Sequence, residues 1–248
     1  MSESQSPQFL YRYYKLDPHF YESIDQGYVW YSSPTSLNDP FDCHIYLESK
    51  ATKEQYETFL KECTNVRKLN RESIRRIAKD MFTKPKDRER IFNEVAADSI
   101  SKNGICCFTE KNDNILMWSH YTNCHEGVCL KYDIDKMLTQ KTYTLKVDYS
   151  QNYPTYNAVL DKGGNEVFTK KMLGTKSCDW EYENEYRLLS VTQGKNPINR
   201  LAVVEVIFGC KCKDSKALKS KFNSQGYQPA FFNARLKEKM FGLDIVKC

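Results

Sequence analysis

The stretch Gly104-Ile105-Cys106-Cys107-Phe108-Thr109-Glu110, followed downstream by Gly127-Val128-Cys129-Leu130-Lys131-Tyr132-Asp133, decides the fold class. Both are short apolar runs of strand length, opened by glycine and closed by acids, and both read as strands. Asn114 to Asn123 between them reads as a short helix. Upstream, Phe9 to Tyr14 is an aromatic run that favours β structure. Asp17-Pro18 then opens a helix that runs to Gln26 and stops at Gly27. The aspartate accepts from free amide groups of the first turn, proline suits the first helical position, and glycine tolerates the positive φ of a helix end. Tyr28 to Ser32 is strand-like, Ser33-Pro34 and Asn38-Asp39-Pro40 mark an irregular loop, and Cys43 to Leu47 resumes a strand. Further on, Tyr143, Leu145, Val147 and Tyr149 alternate as in a half-buried strand. Tyr186 to Val191 and Leu201 to Phe208 are further strands, and Asp214 to Phe222 is a helix. The order lacks regular βα alternation and internal repeats, which points to an α+β fold rather than a doubly wound sheet or barrel.

Residues 52–102 break this pattern as a charged, helical insertion in a single domain spanning 1–248. Phe59, Leu60 and Cys63, then Ile74, Ile77 and Met81, fall at helical spacing. Pro85 opens another helix, with Ile91, Phe92 and Val95 expected on its inner face. Residues 67–90 hold ten Lys/Arg against four Asp/Glu, a local +6, so the rest of the chain sums to −1. Such a segment is either a solvated helix face or a nucleic-acid contact surface.

Composition limits the class further. Aromatics make up 13% of the 248 residues, which argues against intrinsic disorder. No apolar run approaches the roughly 20 residues that span a bilayer. The polar start, Met1 to Gln8, lacks the features of a signal peptide, so a cytoplasmic protein with no membrane partner is expected. The ten cysteines fit reduced thiols in such a compartment, several of them in apolar strands. One Cys-x-Cys (Cys210, Cys212) and one Cys124-His125 pair fall short of a zinc site, so no metal is expected.

There is no P-loop, GxGxxG, HExxH or GxSxG motif, and four other clusters carry the chemistry. Arg12 sits among Tyr11, Tyr13 and Tyr14, and its planar fork suits phosphate or carboxylate oxygens. Tyr31 to Asp42 is a loop of turn formers, with Ser32 and Ser33 at its start and Asp39 and Asp42 as carboxylates. Met117-Trp118-Ser119-His120-Tyr121 with His125 suggests a polar-aromatic pocket in which a flat ring stacks and His120 serves as acid or base. Glu181, Glu183 and Glu185 alternate before a strand, where in extended geometry they share one face and need cations to answer them. Lys176, Arg187 and Arg12 are the candidates for that.

These clusters, in this order, resemble a bacterial family catalogued as domain of unknown function 2971. The resemblance rests on Tyr11-Arg12-Tyr13, Trp30 to Asp42, the Cys-Phe-Thr strand, Met117 to Tyr121, His125-x-Gly127, Trp180 to Arg187 and Val204 to Gly209. More distantly, a basic first strand, a serine-bearing segment and a late Glu-x-Glu resemble the ADP-ribosyltransferase superfamily. That resemblance implies a mixed, mainly antiparallel sheet and a transferase that uses NAD as its substrate. It implies that Arg12 holds the phosphates or ribose and that Glu185 accepts from the nicotinamide-ribose 2′-hydroxyl, with Glu183 assisting the nucleophile. Ser32-Ser33 and Thr109 compete for the middle motif, and Tyr11, Tyr13, Trp118 and Tyr121 are the rings that would hold nicotinamide.

The leading expectation is therefore an NAD-dependent ADP-ribosyltransferase or NAD glycohydrolase, with Glu185, Glu183 and His120 as catalytic residues. Two alternatives stand beside it. One is a metal-dependent nuclease or phosphoesterase using Asp39, Asp42, His120, His125 and a glutamate, and the other a non-enzymatic nucleotide- or nucleic-acid-binding module using residues 67–90.

Overall fold

The structure, a computed structural model, describes residues 7–63, 69–137 and 142–248, apart from the side chains of Ser99 and Asn165. In chain order it forms β1 (Phe9–Tyr14), α1 (Pro18–Gln26), β2 (Tyr28–Tyr31), β3 (Tyr46–Glu48), α2 (Lys53–Glu62), α3 (Arg71–Thr83), α4 (Pro85–Ser101), β4 (Gly104–Thr109) and α5 (Ile115–Tyr121). There follow β5 (Val128–Asp133), α6 (Ile134–Met137), β6 (Thr142–Lys146), β7 (Asp148–Ser150), β8 (Thr155–Asn157), α7 (Gly164–Leu173) and β9 (Thr175–Ser177). The chain ends with β10 (Glu185–Ser190), β11 (Gly194–Pro197), β12 (Val203–Phe208), α8 (Ser215–Ser224), β13 (Ala230–Leu236) and β14 (Leu243–Lys247). A 3-10 turn, Cys178–Glu183, leads into β10. The fold is mixed α+β with a large, mainly antiparallel sheet. Among the described residues no helix is long and apolar enough to cross a membrane.

Two compact units share the chain. The first comprises Met1–Ser36, Asn103–Val147 and Cys178–Cys248, and the second Leu37–Lys102 and Asp148–Ser177. The expected insertion, 52–102, is part of the second unit together with β3 and β7 to β9.

The first unit is built on one eight-stranded sheet in the order β14-β13-β12-β5-β1-β4-β10-β6. Every pairing in it is antiparallel except β12 with β13. Alternation along each strand sends side chains to two faces. On one, Leu10, Cys106, Phe108, Leu130, Leu188 and Val206 pack under Phe20 and Ile24 of α1 and Leu218 and Phe222 of α8. On the other, Tyr13, Cys129, Ile207, Ala234 and Leu243 pack under Met117 and Trp118 of α5. The helix α1 forms as its local signals require: the Asp17 side chain accepts from Phe20 N, and Gly27 closes it at φ 69°.

The second unit packs α2 against α3 through Tyr56, Leu60, Ile74 and Ala78. Arg67 and Lys68 of the expected basic segment lie outside the described residues. Three details differ from the periodicity. On α4 Arg88 and Ala96 are buried and Phe92 is half-buried beside the Phe59 ring, while Ile91 and Val95 are 50% and 60% exposed. Arg88 goes inward because its guanidinium is satisfied there, donating to Ser49 Oγ at 2.8 Å and Met81 O at 2.7 Å beside the Tyr56 ring. The strand expected from Cys43 is only Tyr46–Glu48, with Cys43 at a positive φ of 56°. The alternating run 143–149 divides at Val147 into β6, in the large sheet, and β7, which pairs in parallel with β9.

Candidate functional site

A row of polar side chains crosses the second face of the large sheet. Glu205 lies opposite Lys131, Lys131 opposite Tyr11, Tyr11 opposite Thr109, and Thr109 opposite Glu185. Residues directly opposite one another share a face, so five adjacent strands contribute one residue each to a single line. A bulge between Val203 and Glu205 makes this possible on β12. The extra residue lets Val203 point into the first face's core while Glu205 stays opposite Lys131.

The row begins with an ion pair. Lys131 Nζ lies 2.8 Å from Glu205 Oε1, both side chains about four-fifths buried, at 21% and 22% exposure. The same ammonium stands 4.9 Å from the Phe9 ring centre and 5.6 Å from that of Tyr11. Burial alone would lower the Lys131 pKa, but the hydrogen bond to Glu205 and the charges of Tyr11 and Glu205 together outweigh it, and the value lies above its ordinary one. Burial raises the Tyr11 phenol, and Lys131 works against that rise.

At the other end of the row two glutamates are buried. Glu185 is 3% exposed and Glu183 4%. Glu185 Oε1 accepts from Arg187 Nε at 2.8 Å and Oε2 from Nη2 at 3.4 Å, a fork-to-carboxylate pair whose guanidinium is itself fully buried. Glu183 Oε1 accepts from the Tyr121 hydroxyl at 2.5 Å. The glutamates do not alternate in extended chain, as the sequence suggests. Cys178–Glu183 is a 3-10 turn, and Asn184, at φ 49°, swings the backbone into β10. Asparagine is among the few residues that adopt this left-handed conformation readily. Glu181 is consequently exposed. Asn114 fixes the turn to α5: its amide donates to Tyr182 O at 2.8 Å while its Oδ1 caps the helix by accepting from Leu116 N and Met117 N.

Rings border the carboxylates. The exposed His120 ring lies 6.4 Å from both Tyr121 and Tyr182, and Tyr182 lies 6.0 Å from Trp180. Trp118 is 0% exposed and offers no surface to a ligand. Its indole donates to Asn112 O, with Tyr13 edge-on at 5.2 Å and His125 stacked at 6.3 Å. Tyr13 donates to Lys111 O at 3.0 Å and is likewise part of this core, where burial pushes its phenol well up.

Of the expected site residues, Tyr11, Thr109, Glu185, Glu183, Tyr121 and His120 belong to this face. Arg12 does not. As the neighbour of Tyr11 in an extended strand it points to the other face, where Nη1 donates to Cys106 Sγ and the guanidinium stands over Tyr14 at 5.3 Å and Phe108 at 5.9 Å. Among the described residues no carboxylate forms an ion pair with it. Ser32 also lies elsewhere. It bridges Ile105, four residues and so about 13 Å along β4 from Thr109, while Ser33 bonds Thr35 in the following turn. Thr109 is thus the middle-motif candidate that reaches the row, its Oγ1 accepting from Lys111 N. Asp39 and Asp42 are in the second unit, His120 and His125 in the first. Among the described residues no group of three or more His, Cys, Asp or Glu side chains is arranged to hold a metal ion.

Lys131 and Glu205 escape sequence reasoning, although each is a charge inside an otherwise apolar run, residues 128–132 and Val203–Phe208. That is the signal that marks them.

Fold and site define a mixed α+β protein with buried carboxylates at the end of a polar row, flanked by an exposed ring cluster. Residues 117–188, less than half of the chain, match a family described as "Protein of unknown function (DUF2971)". The matched stretch carries Tyr121, Glu183, Glu185 and Arg187. No curated protein and no solved structure matches the chain.

Proposed function

We propose that this face cleaves the nicotinamide–ribose bond of NAD, as an ADP-ribosyltransferase or NAD glycohydrolase. The observation that carries the reading is the register of Tyr11, Thr109 and Glu185 on three adjacent strands, with Glu183 one turn of chain away. In bond cleavage the C1′–N bond breaks and neutral nicotinamide leaves with the electron pair. The developing oxocarbenium cation is stabilised by the Glu185 carboxylate. Water or an acceptor side chain adds at C1′ and yields its proton to Glu183. The His120 and Tyr182 rings supply the stacking surface for a planar base. Arg12 has no part in this version of the site.

Incubating the purified protein with NAD and following free nicotinamide tests the reading. Release is expected, reduced by at least about a hundredfold in Glu185→Gln, in line with the loss of one electrostatic contact to a transition state. No release from the wild type, with NAD binding unchanged in Glu183→Gln and Glu185→Gln, would sink it.

One observation favours a second reading. The Glu185 carboxylate is already engaged by Arg187, as befits a structural pair. In that case the ring cluster binds a nucleotide without turning it over. Saturable NAD binding weakened by His120→Ala and Tyr182→Ala, with no nicotinamide released, is its signature.

A further inference from the structure

The second unit carries a different kind of surface. On α3, Arg71, Arg75, Lys79 and Phe82 stand at positions i, i+4, i+8 and i+11, which bring them onto one stripe of the helix. All four are exposed, as is Arg76 beside them. The adjoining face of the same helix is committed to the core through Ile74 and Ala78, with Ile77 and Met81 partly buried.

The cations of this stripe are uncompensated and stacked together. Three cations on and beside α4, by contrast, have partners one turn away: Arg90 with Glu94 at 2.8 Å, Lys102 with Asp98 at 2.5 Å, and Lys84 with Asp80 at 3.2 Å. Among the described residues Arg71, Arg75, Arg76 and Lys79 have none: Glu72, one turn from Arg75 and Arg76, forms no ion pair with them, and Asp80 pairs with Lys84. Arg71, Arg75 and Lys79 moreover stack like charges at i, i+4 spacing, an arrangement that weakens an isolated helix. A merely solvated face has no need of it.

We propose that this stripe of α3 binds single-stranded nucleic acid, the three cations tracking phosphates and Phe82 stacking on a base. Each step between cations is about 6 Å along the helix, so the stripe follows a chain of charges rather than gripping one anion. Phe82, 54% exposed at the end of the stripe, supplies the sequence-tolerant stacking that single strands use. An anionic membrane fits less well, because a helix lying on lipid sets a broad apolar face beside its cations, and here the apolar face of α3 is spent inward.

Fluorescence anisotropy with a labelled oligouridine of about 16 nucleotides tests this, titrated at several salt concentrations. Wild-type binding should weaken steeply with salt. Arg71→Gln/Arg75→Gln/Lys79→Gln together should weaken it at least tenfold and make the slope of log affinity against log salt shallower by about 2. Phe82→Ala should weaken binding with the slope unchanged, and Arg90→Gln, which removes a paired cation, should leave both alone. Circular dichroism confirms folding, and Arg75→Gln alone serves if the triple variant is unstable. No salt-dependent binding, a triple variant that binds like wild type, or binding of phosphatidylserine vesicles in place of the oligonucleotide would each overturn the proposal. Nicotinamide release has no bearing on the outcome, so this surface and the NAD site fail or stand separately.

Discussion

The Tyr121 hydroxyl donates to Glu183 Oε1 at 2.5 Å and joins α5 to the turn that launches β10. The carboxylate it serves is 4% exposed, and a buried carboxylate stripped of a donor is costly. Tyr121→Phe keeps the ring and removes the donor. It should lower stability by about 1–3 kcal/mol, measured as a reduced urea midpoint with an unchanged m-value. If Glu183 also accepts the proton of the attacking nucleophile, nicotinamide release should fall in the same variant by more than the unfolded fraction explains.

The Glu185–Arg187 pair predicts an asymmetry between single and double replacement. Both partners are buried, so removing one takes a charge-assisted contact away from a group shielded from water. Glu185→Leu should cost about 3–5 kcal/mol, and Arg187→Met a similar amount. Replacing both with apolar residues of similar volume, Glu185→Leu with Arg187→Met, should recover most of the loss. Denaturant melts of the four proteins of that cycle check it. A double variant as unstable as the sum of the singles would show that Glu185 and Arg187 are not each other's main partner.

His125 gives a pH signature. Burial, reinforced by nearby Lys211, holds its pKa below the ordinary histidine value. The unfolded chain therefore binds a proton at a pH where the folded one does not. Stability from this group is present above the unfolded pKa, about 6.5, and is lost as pH falls through the lower folded value. Melts between about pH 7 and 5 should show a decline that is shallower in His125→Gln. His125 Nε2 lies 3.1 Å from Ser119 Oγ, so the glutamine variant retains a polar group at that end.

Lys131 and Glu205 make a smaller prediction. Their 2.8 Å contact is partly screened at 21% and 22% side-chain exposure, so a coupling of about 0.5–1.5 kcal/mol is expected, at or just above the exposed-pair range. A double-mutant cycle with Lys131→Met and Glu205→Gln measures it. Coupling near zero would mean that Lys131 rests mainly on the rings of Phe9 and Tyr11.

What the sequence discloses divides along the range of the interactions. The α1 boundaries follow from Asp17-Pro18 and Gly27 because capping is local, and β1 and β4 follow from their own composition. The inward turn of Arg88 does not, since its partners Ser49 and Tyr56 are distant in sequence. The division of the run 143–149 depends on β10 and β9, neither of which leaves a mark on Val147. Strands β13 and β14 likewise lack a pattern strong enough to announce themselves. At the site, residue types are legible and faces are not. Tyr11 and Arg12 are neighbours with equal claims until the pairing of β1 with β4 assigns Tyr11 to Glu185's side. Glu183 and Glu185 look equivalent until Asn184 takes a positive φ between them.

The connection from α5 to β5 predicts how glycines differ in tolerance. Asn123, Cys124 and His125 all have positive φ, 51°, 56° and 72°, and the chain then passes through Gly127 against the end of β1. A Cβ on Gly127 would lie 2.0 Å from Tyr14 O, and one on Gly209 2.1 Å from His125 O. Both obstacles are backbone atoms, and Gly209 N also donates to Gly127 O at 2.9 Å, so the segments cannot separate without losing a hydrogen bond. Gly226 differs: its φ of 80° disfavours other residues, yet an added Cβ would meet nothing within 4 Å. Gly226→Ala should thus cost only the conformational term, about 1 kcal/mol. Gly127→Ala and Gly209→Ala should each cost more than about 2 kcal/mol, because overpacking against backbone forces the strands apart. Comparing urea midpoints of the three variants tests the order. Gly226→Ala as damaging as the other two would place the origin of the loss in φ rather than in the close approach of the chains.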